Sequence, residues 1–197
     1  RLLPSFLQLG ETLDPARKPE MAEEIYRKAI AADNQAVEPR LALANFMMLY
    51  QKPEEAEAEL KSALQAAPQS KDVIRALAFF YLQNKKLDLA EEQYKQLVDL
   101  NKDDPNQRIV LADYYVAAGQ MDRGIQTLEK MIAGQPKGML ARKRLANIFI
   151  GQNSFDKAEK LADEILKENE KDADAHFIKG RVLLSRNKPA EAVAQLE

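Results

Sequence analysis

The sequence predicts an all-α chain built as an array of helix pairs. Three observations carry that expectation. The 197 residues divide into units of 34 without insertion or deletion, and apolar residues within each unit recur at helical spacing. Helix-breaking residues also fall at the same place in successive units. With Val37–Ser70 as the ruler, the frame is 3–36, 37–70, 71–104, 105–138, 139–172 and 173–197, one array over 1–197 whose last unit is truncated.

Small residues hold the frame. Place eight is Gly10, Ala44, Ala78, Ala112, Ala146 and Gly180, and place twenty is Ala22, Ala56, Ala90, Gly124, Ala158 and Ala192. Two helices folded back on each other approach closely only where neither carries a bulky side chain, so these two places are expected to mark the crossing. Place seven reads Leu9, Leu43, Leu77, Leu111 and Leu145, failing only at Lys179. Place twenty-eight is apolar throughout the complete units: Ile30, Leu64, Val98, Ile132 and Leu166.

In 3–36 the first helix meets Pro15 and lacks a Gly or Asn stop, so it is expected to be short; Pro19 then starts the second. In 37–70, Pro53 suits the first turn of the second helix and Pro68 closes the unit. In 71–104 the apolar set Leu77, Ala78 and Tyr81 lies on the first helix, and Ala90, Tyr94, Leu97 and Val98 lie on the second. Pro105 opens 105–138 after Asp103-Asp104, Gly119 offers a left-handed residue to end its first helix, and Pro136 closes it. Asn153 takes the place of Gly119 in 139–172. In 173–197, Asn187 and Pro189 repeat the stop-and-start signal, and Glu197 falls inside the second helix. That leaves Ala192, Val193 and Leu196 uncovered and predicts a segment of a longer array, with end-to-end self-association through this repeat.

Composition narrows the function. Acidic and basic residues nearly balance, 31 against 29, so no phosphate-reading surface and no nucleic acid partner are expected. The absence of cysteine removes thiolate metal sites and cysteine nucleophiles. His176 is the single histidine and reads as a partly buried structural residue. No apolar run reaches the roughly 20 residues of a membrane span, so this segment is not expected to insert in a membrane. Asn101-Lys102-Asp103-Asp104-Pro105 lacks the Gly and terminal Glu of a calcium loop and reads as a turn. The densest basic cluster, Arg142-Lys143-Arg144 with Lys137 before it, has no interleaved aromatics; it reads as a solvated face, with a carboxylate-bearing protein partner as the alternative. No catalytic constellation, metal set or cofactor motif emerges, and the chain is expected not to be an enzyme.

These places resemble the tetratricopeptide repeat family. The unit Lys71–Asp104 shows Leu77-Ala78, Tyr81, Ala90 and Tyr94, and Pro105–Gly138 shows Leu111-Ala112, Tyr115, Gly124, Leu128 and Pro136. The Trp-like fourth place of the family instead holds Phe6, Arg40, Ile74, Arg108, Arg142 and His176, so its bulky contact is expected to be mostly absent. The ungapped units, with Ala at place eight and Arg at place four, are also similar in style to long arrays of bacterial envelope and exopolysaccharide-export proteins.

The resemblance implies a right-handed α-solenoid, a protein or peptide partner, and a concave groove lined by the first helices. Groove positions would be Leu41, Asn45 and Met48; Arg75, Phe79 and Leu82; Ile109, Asp113 and Val116; Lys143, Asn147 and Ile150; and Phe177, Arg181 and Leu184. The competing expectation is that the place-twelve residues merely pack against the next unit. Chaperone-binding members hold a terminal carboxylate with Lys and Asn; Lys143 and Asn147 match the first pair, but Ile178 stands where the next Asn is needed. In the earlier triplet Phe79 and Val110 replace both asparagines, so that clamp is not expected. The leading expectation is a non-catalytic scaffold binding a partner in its groove. The alternative is a structural spacer or regulatory appendage between flanking domains of a larger envelope or export protein.

Overall fold

The computed structural model describes residues 19–135 and 138–195. The expectations at Phe6, Leu9, Gly10, Pro15, Pro136, Lys137 and Leu196 lie outside these residues. Among the described residues there are eleven α-helices and no strand. They form two compact units, residues 1–101 and 102–197. The first holds α1 (Pro19–Ala32), α2 (Glu38–Leu49), α3 (Pro53–Ala66), α4 (Lys71–Gln83) and α5 (Leu87–Leu100). The second holds α6 (Pro105–Ala117), α7 (Met121–Gly134), α8 (Met139–Gly151), α9 (Phe155–Glu168), α10 (Ala173–Ser185) and α11 (Pro189–Ala194).

The helices pair as the repeat predicts: α2 with α3, α4 with α5, α6 with α7, α8 with α9 and α10 with α11. Within each unit, pairs stack through α1 on α2 and α3 on α4, and through α7 on α8 and α9 on α10. Ala44, Ala56, Ala78, Ala90, Ala112, Ala146 and Ala158 at the crossing places are completely buried. Leu43, Met47, Leu60, Ile74, Leu77 and Leu97 fill the first unit, and Leu128, Leu145, Ile165, Ile178 and Val182 fill the second. Lys179 breaks the leucine series at place seven by reaching Asp163 on α9 at 2.7 Å.

Every first helix from α2 onward stops in the same way. Gln51, Lys85, Gly119, Asn153 and Asn187, all at place fifteen, have positive φ. The next amide bonds back five residues: Lys52 to Met47, Lys86 to Tyr81, Gln120 to Tyr115, Ser154 to Phe149 and Lys188 to Leu183, at 2.8–3.0 Å. This is the Schellman ending, in which a left-handed residue lets the orphan carbonyls of the last turn be satisfied. At the other end Ser70, Asp104 and Asp172, all at place thirty-four, cap α4, α6 and α10 by accepting a backbone N–H at 3.4, 2.9 and 3.1 Å.

The fourth place departs from the expectation of a mere missing contact. Arg40 donates to the Asn34 carbonyl at 3.1 Å, Arg108 donates to that of Lys102 at 3.1 Å, and His176 Nε2 lies 2.8 Å from that of Glu170. Each reaches six residues back and ties the inter-repeat turn to the helix that follows. Where place four is Ile74, the equivalent carbonyl of Pro68 accepts from Gln96 at 3.3 Å instead. In the first unit, the place-twenty-one acid of one repeat meets the place-sixteen base of the next: Glu23 with Lys52 at 3.2 Å, and Glu57 with Lys86.

Candidate functional site

In the first compact unit, α2 and α4 flank an open groove of about 750 Å³. From α2 come Asn45, Met48 and Leu49, and from α4 come Phe79, Phe80 and Gln83. Asn84, Gln51 and Pro53 close its end at the turns. A helix places residues four apart on one face, so Asn45 and Leu49 project alongside each other, as do Phe79 and Gln83. Phe79 is 51% exposed and Leu49 70% exposed, although both are large apolar side chains. Of the predicted groove positions, Asn45, Met48 and Phe79 thus meet around one concavity. Leu41 and Leu82 are half-buried beside the core, and Arg75 is exposed and paired with Asp72 at 3.1 Å.

The predicted positions of the second unit behave differently. Ile109 and Val116 pack partly buried against the hydrophobic core. Ile150 is only 4% exposed and offers no surface. Asn147 is exposed, and its amide donates to the Lys143 carbonyl at 3.0 Å. Phe177, Arg181 and Leu184 are exposed along one face of α10.

In the basic cluster Arg142 and Lys143 are shielded from solvent, while Arg144 is more exposed. Arg142 is buried and bonds Glu168 at 2.8 Å, and Arg144 pairs with Asp113. Lys143 is held between Asp172 at 2.7 Å and Asp174 at 2.9 Å. Burial works against the Lys143 charge, but the hydrogen bonds that it donates to the two aspartates outweigh it and keep its pKa above the ordinary lysine value. Burial likewise opposes the Asp172 charge, and Lys143 with the Ala175 N–H overcomes it, holding that carboxyl below its usual value. All three cations are therefore spent on acids of the same compact unit. His176, expected to be structural, is half-buried, with Nδ1 3.2 Å from Gln195 Oε1 beside its bond to the Glu170 carbonyl.

Among the concavities that the sequence reading did not place, the one with an apolar floor is in the second unit. In the second unit a notch of about 380 Å³ has a floor of Ile132, Leu145, Phe149 and Leu161, with Lys157 stacked 5.2 Å from the Phe149 ring centre. The available signal was Ala133, a small residue where three other repeats carry Gln65, Asp99 and Lys167, although Ala31 holds the same place in the first repeat. Among the described residues no three His, Cys, Asp or Glu side chains gather as metal ligands, and no helix is long and apolar enough to cross a membrane.

A tetratricopeptide repeat model matches residues 48–114 and again 115–181, and a second tetratricopeptide repeat model matches residues 3–35. No curated protein matches the chain. Among solved structures, a tetratricopeptide repeat protein from Parabacteroides merdae is 16% identical, over 98% of this chain and 75% of that one, with a TM-score of 0.60. PilF from Pseudomonas aeruginosa is 16% identical, over 98% and 88% of the two chains, with a TM-score of 0.63. MamA is 23% identical, over 83% and 96%, with a TM-score of 0.56. At these identities the likeness speaks for the fold, an all-α solenoid of helix pairs. With the family's models spanning well over half its length and its helix pairs in one 34-residue register, the chain belongs to the tetratricopeptide repeat family.

Proposed function

We propose that the chain is a non-catalytic scaffold whose first helices bind a segment of a partner protein, with the groove between α2 and α4 as the contact. Tetratricopeptide repeats are in general protein-interaction scaffolds, and the groove supports the finer reading. The observation that carries it is Phe79. A large aromatic side chain left half in water, beside the exposed Leu49 and half-buried Met48, costs hydration free energy that a bound segment would recover. In the second unit, the buried Ile150 and the internally paired Arg142, Lys143 and Arg144 favour the spacer reading for that stretch.

A photo-reactive benzoylphenylalanine at position 79, with position 61 on the exposed face of α3 as control, tests the proposal in the source cell. The expected result is a discrete protein adduct from position 79 and none from 61. No adduct at 79, or the same adducts from both, would overturn the groove reading.

A further inference from the structure

We infer that the groove between α2 and α4 takes an uncharged, extended segment of its partner, anchored by one large apolar side chain on Phe79. The inference rests on the groove reading above and adds the chemistry of the occupant. Every side chain lining the groove is apolar or a carboxamide. At the two adjoining turns Lys52 pairs with Glu23 and Glu55 and Lys86 with Glu57, and the exposed Lys85 is not among the side chains that line the groove. A charged residue carried into the groove would shed hydration and meet no counter-charge among the side chains that line it, which disfavours it.

The carboxamides decide the conformation of the occupant. Among the described residues, the side chains of Asn45, Gln51 and Gln83 have no hydrogen-bond partner, while Asn84 donates to the Phe80 carbonyl at 2.8 Å. A carboxamide both donates and accepts, as a peptide group does. A helical ligand has already paired its own backbone groups and has no use for such partners. An extended ligand brings unpaired N–H and C=O groups that need them. Amides around an apolar floor thus match a strand-like segment with alternate side chains turned inward.

The test pans the whole chain against a phage-displayed library of random 12-residue peptides and remakes the enriched sequences as labelled synthetic peptides. Titrations follow at 20 and 500 mM NaCl, with wild type and with Phe79→Ala and Asn45→Ala. Both altered side chains are exposed, so unchanged thermal midpoints are expected alongside the binding change. The inference expects enriched peptides with a large apolar residue and no charge beside it. It expects a Kd that changes less than twofold across the salt range, and at least tenfold weakening by Phe79→Ala. It also expects extended carbon-13 shifts in the labelled bound peptide. Charged enriched peptides whose Kd rises tenfold with salt, or helical shifts in the bound peptide, overturn this inference while sensitivity to Phe79→Ala keeps the groove reading. No enrichment, or equal binding by Phe79→Ala, overturns both.

Discussion

Gly124 on α7 lies so close to Val116 on α6 that a Cβ at Gly124 would stand 2.9 Å from the Val116 Cγ2 and 3.0 Å from the Ala112 carbonyl oxygen. This crossing has no room even for alanine, which serves at the equivalent place of the other repeats. Gly134, in the last turn of the same helix, faces nothing within 4 Å. Gly124→Ala is expected to destabilise despite the helix propensity it adds, with overpacking of about 1–3 kcal/mol against roughly 1 kcal/mol of gain. Gly134→Ala is expected to stabilise by about 0.5–1 kcal/mol. Urea unfolding of the two variants checks the pair, and shifts of the same sign would refute the crossing geometry.

A second expectation concerns Lys85, which holds φ 57° without the freedom of glycine. A left-handed conformation costs an ordinary residue roughly 1 kcal/mol. Lys85→Gly is therefore expected to raise stability by up to about 1 kcal/mol, and Gly119→Ala to lower it by a similar amount. Thermal midpoints of both variants measure this, and a stabilised Gly119→Ala would contradict it.

The straps at place four are testable through Arg40, which joins the Asn34 carbonyl and Glu59 at 3.0 Å with both side chains largely shielded. Arg40→Ala strands a shielded carboxylate and frees the turn, at an expected cost of about 1.5–3 kcal/mol. Arg27→Ala, whose ion pairs are exposed, is expected to cost no more than about 0.5 kcal/mol. Denaturant titrations of the two variants give the comparison; equal losses would mean that the strap contributes nothing beyond a surface pair.

Acid should act through Glu57, which pairs with Lys61 on its own helix and with Lys86 of the next repeat. Lys61, then Lys86, hold the Glu57 carboxyl below its ordinary pKa by hydrogen bonding, against opposing burial. A carboxylate depressed in the folded state contributes its stability above the unfolded value, roughly pH 4.3 for Glu, and loses it as pH falls through the folded value. The melting temperature is thus expected to be flat from pH 7 to about 5 and to fall below about 4. Glu57→Gln should lie lower at neutral pH and show a shallower acid slope. Calorimetry from pH 7 to 2.5 at fixed ionic strength decides, and a parallel slope would remove Glu57 from the account.

Steric requirements were the most legible part of the sequence. Ala44 and Ala56, or Ala78 and Ala90, announce a crossing because no larger side chain is tolerated there, and they are completely buried. Gly119, Asn153 and Asn187 announced the left-handed stop, but Gln51 and Lys85 did not, since the surrounding hydrogen bonds impose the same φ on residues that do not prefer it. Charge was the least legible. Arg142, Lys143 and Arg144 look alike in a row, yet successive helical positions point about 100° apart and each meets a different acid. In the candidate groove, Asn45, Met48 and Phe79 could be placed by their repeat positions. The exposure of Leu49 and the burial of Ile150 depend on how neighbouring helices lean, which no single repeat encodes.

The common register also bears on how such a chain can change length. Each repeat carries its own start and stop signals, and in the first compact unit Glu–Lys links join place twenty-one to place sixteen of the following copy. Excision of residues 37–70 would leave Glu23 facing Lys86 in the relation it now has to Lys52. Duplication of the same stretch would likewise give each new junction an acid opposite a base. Loss or gain of this one repeat therefore leaves junctions that are already electrostatically matched, so a gene of this design can shorten or lengthen this stretch of its product without first repairing the joints.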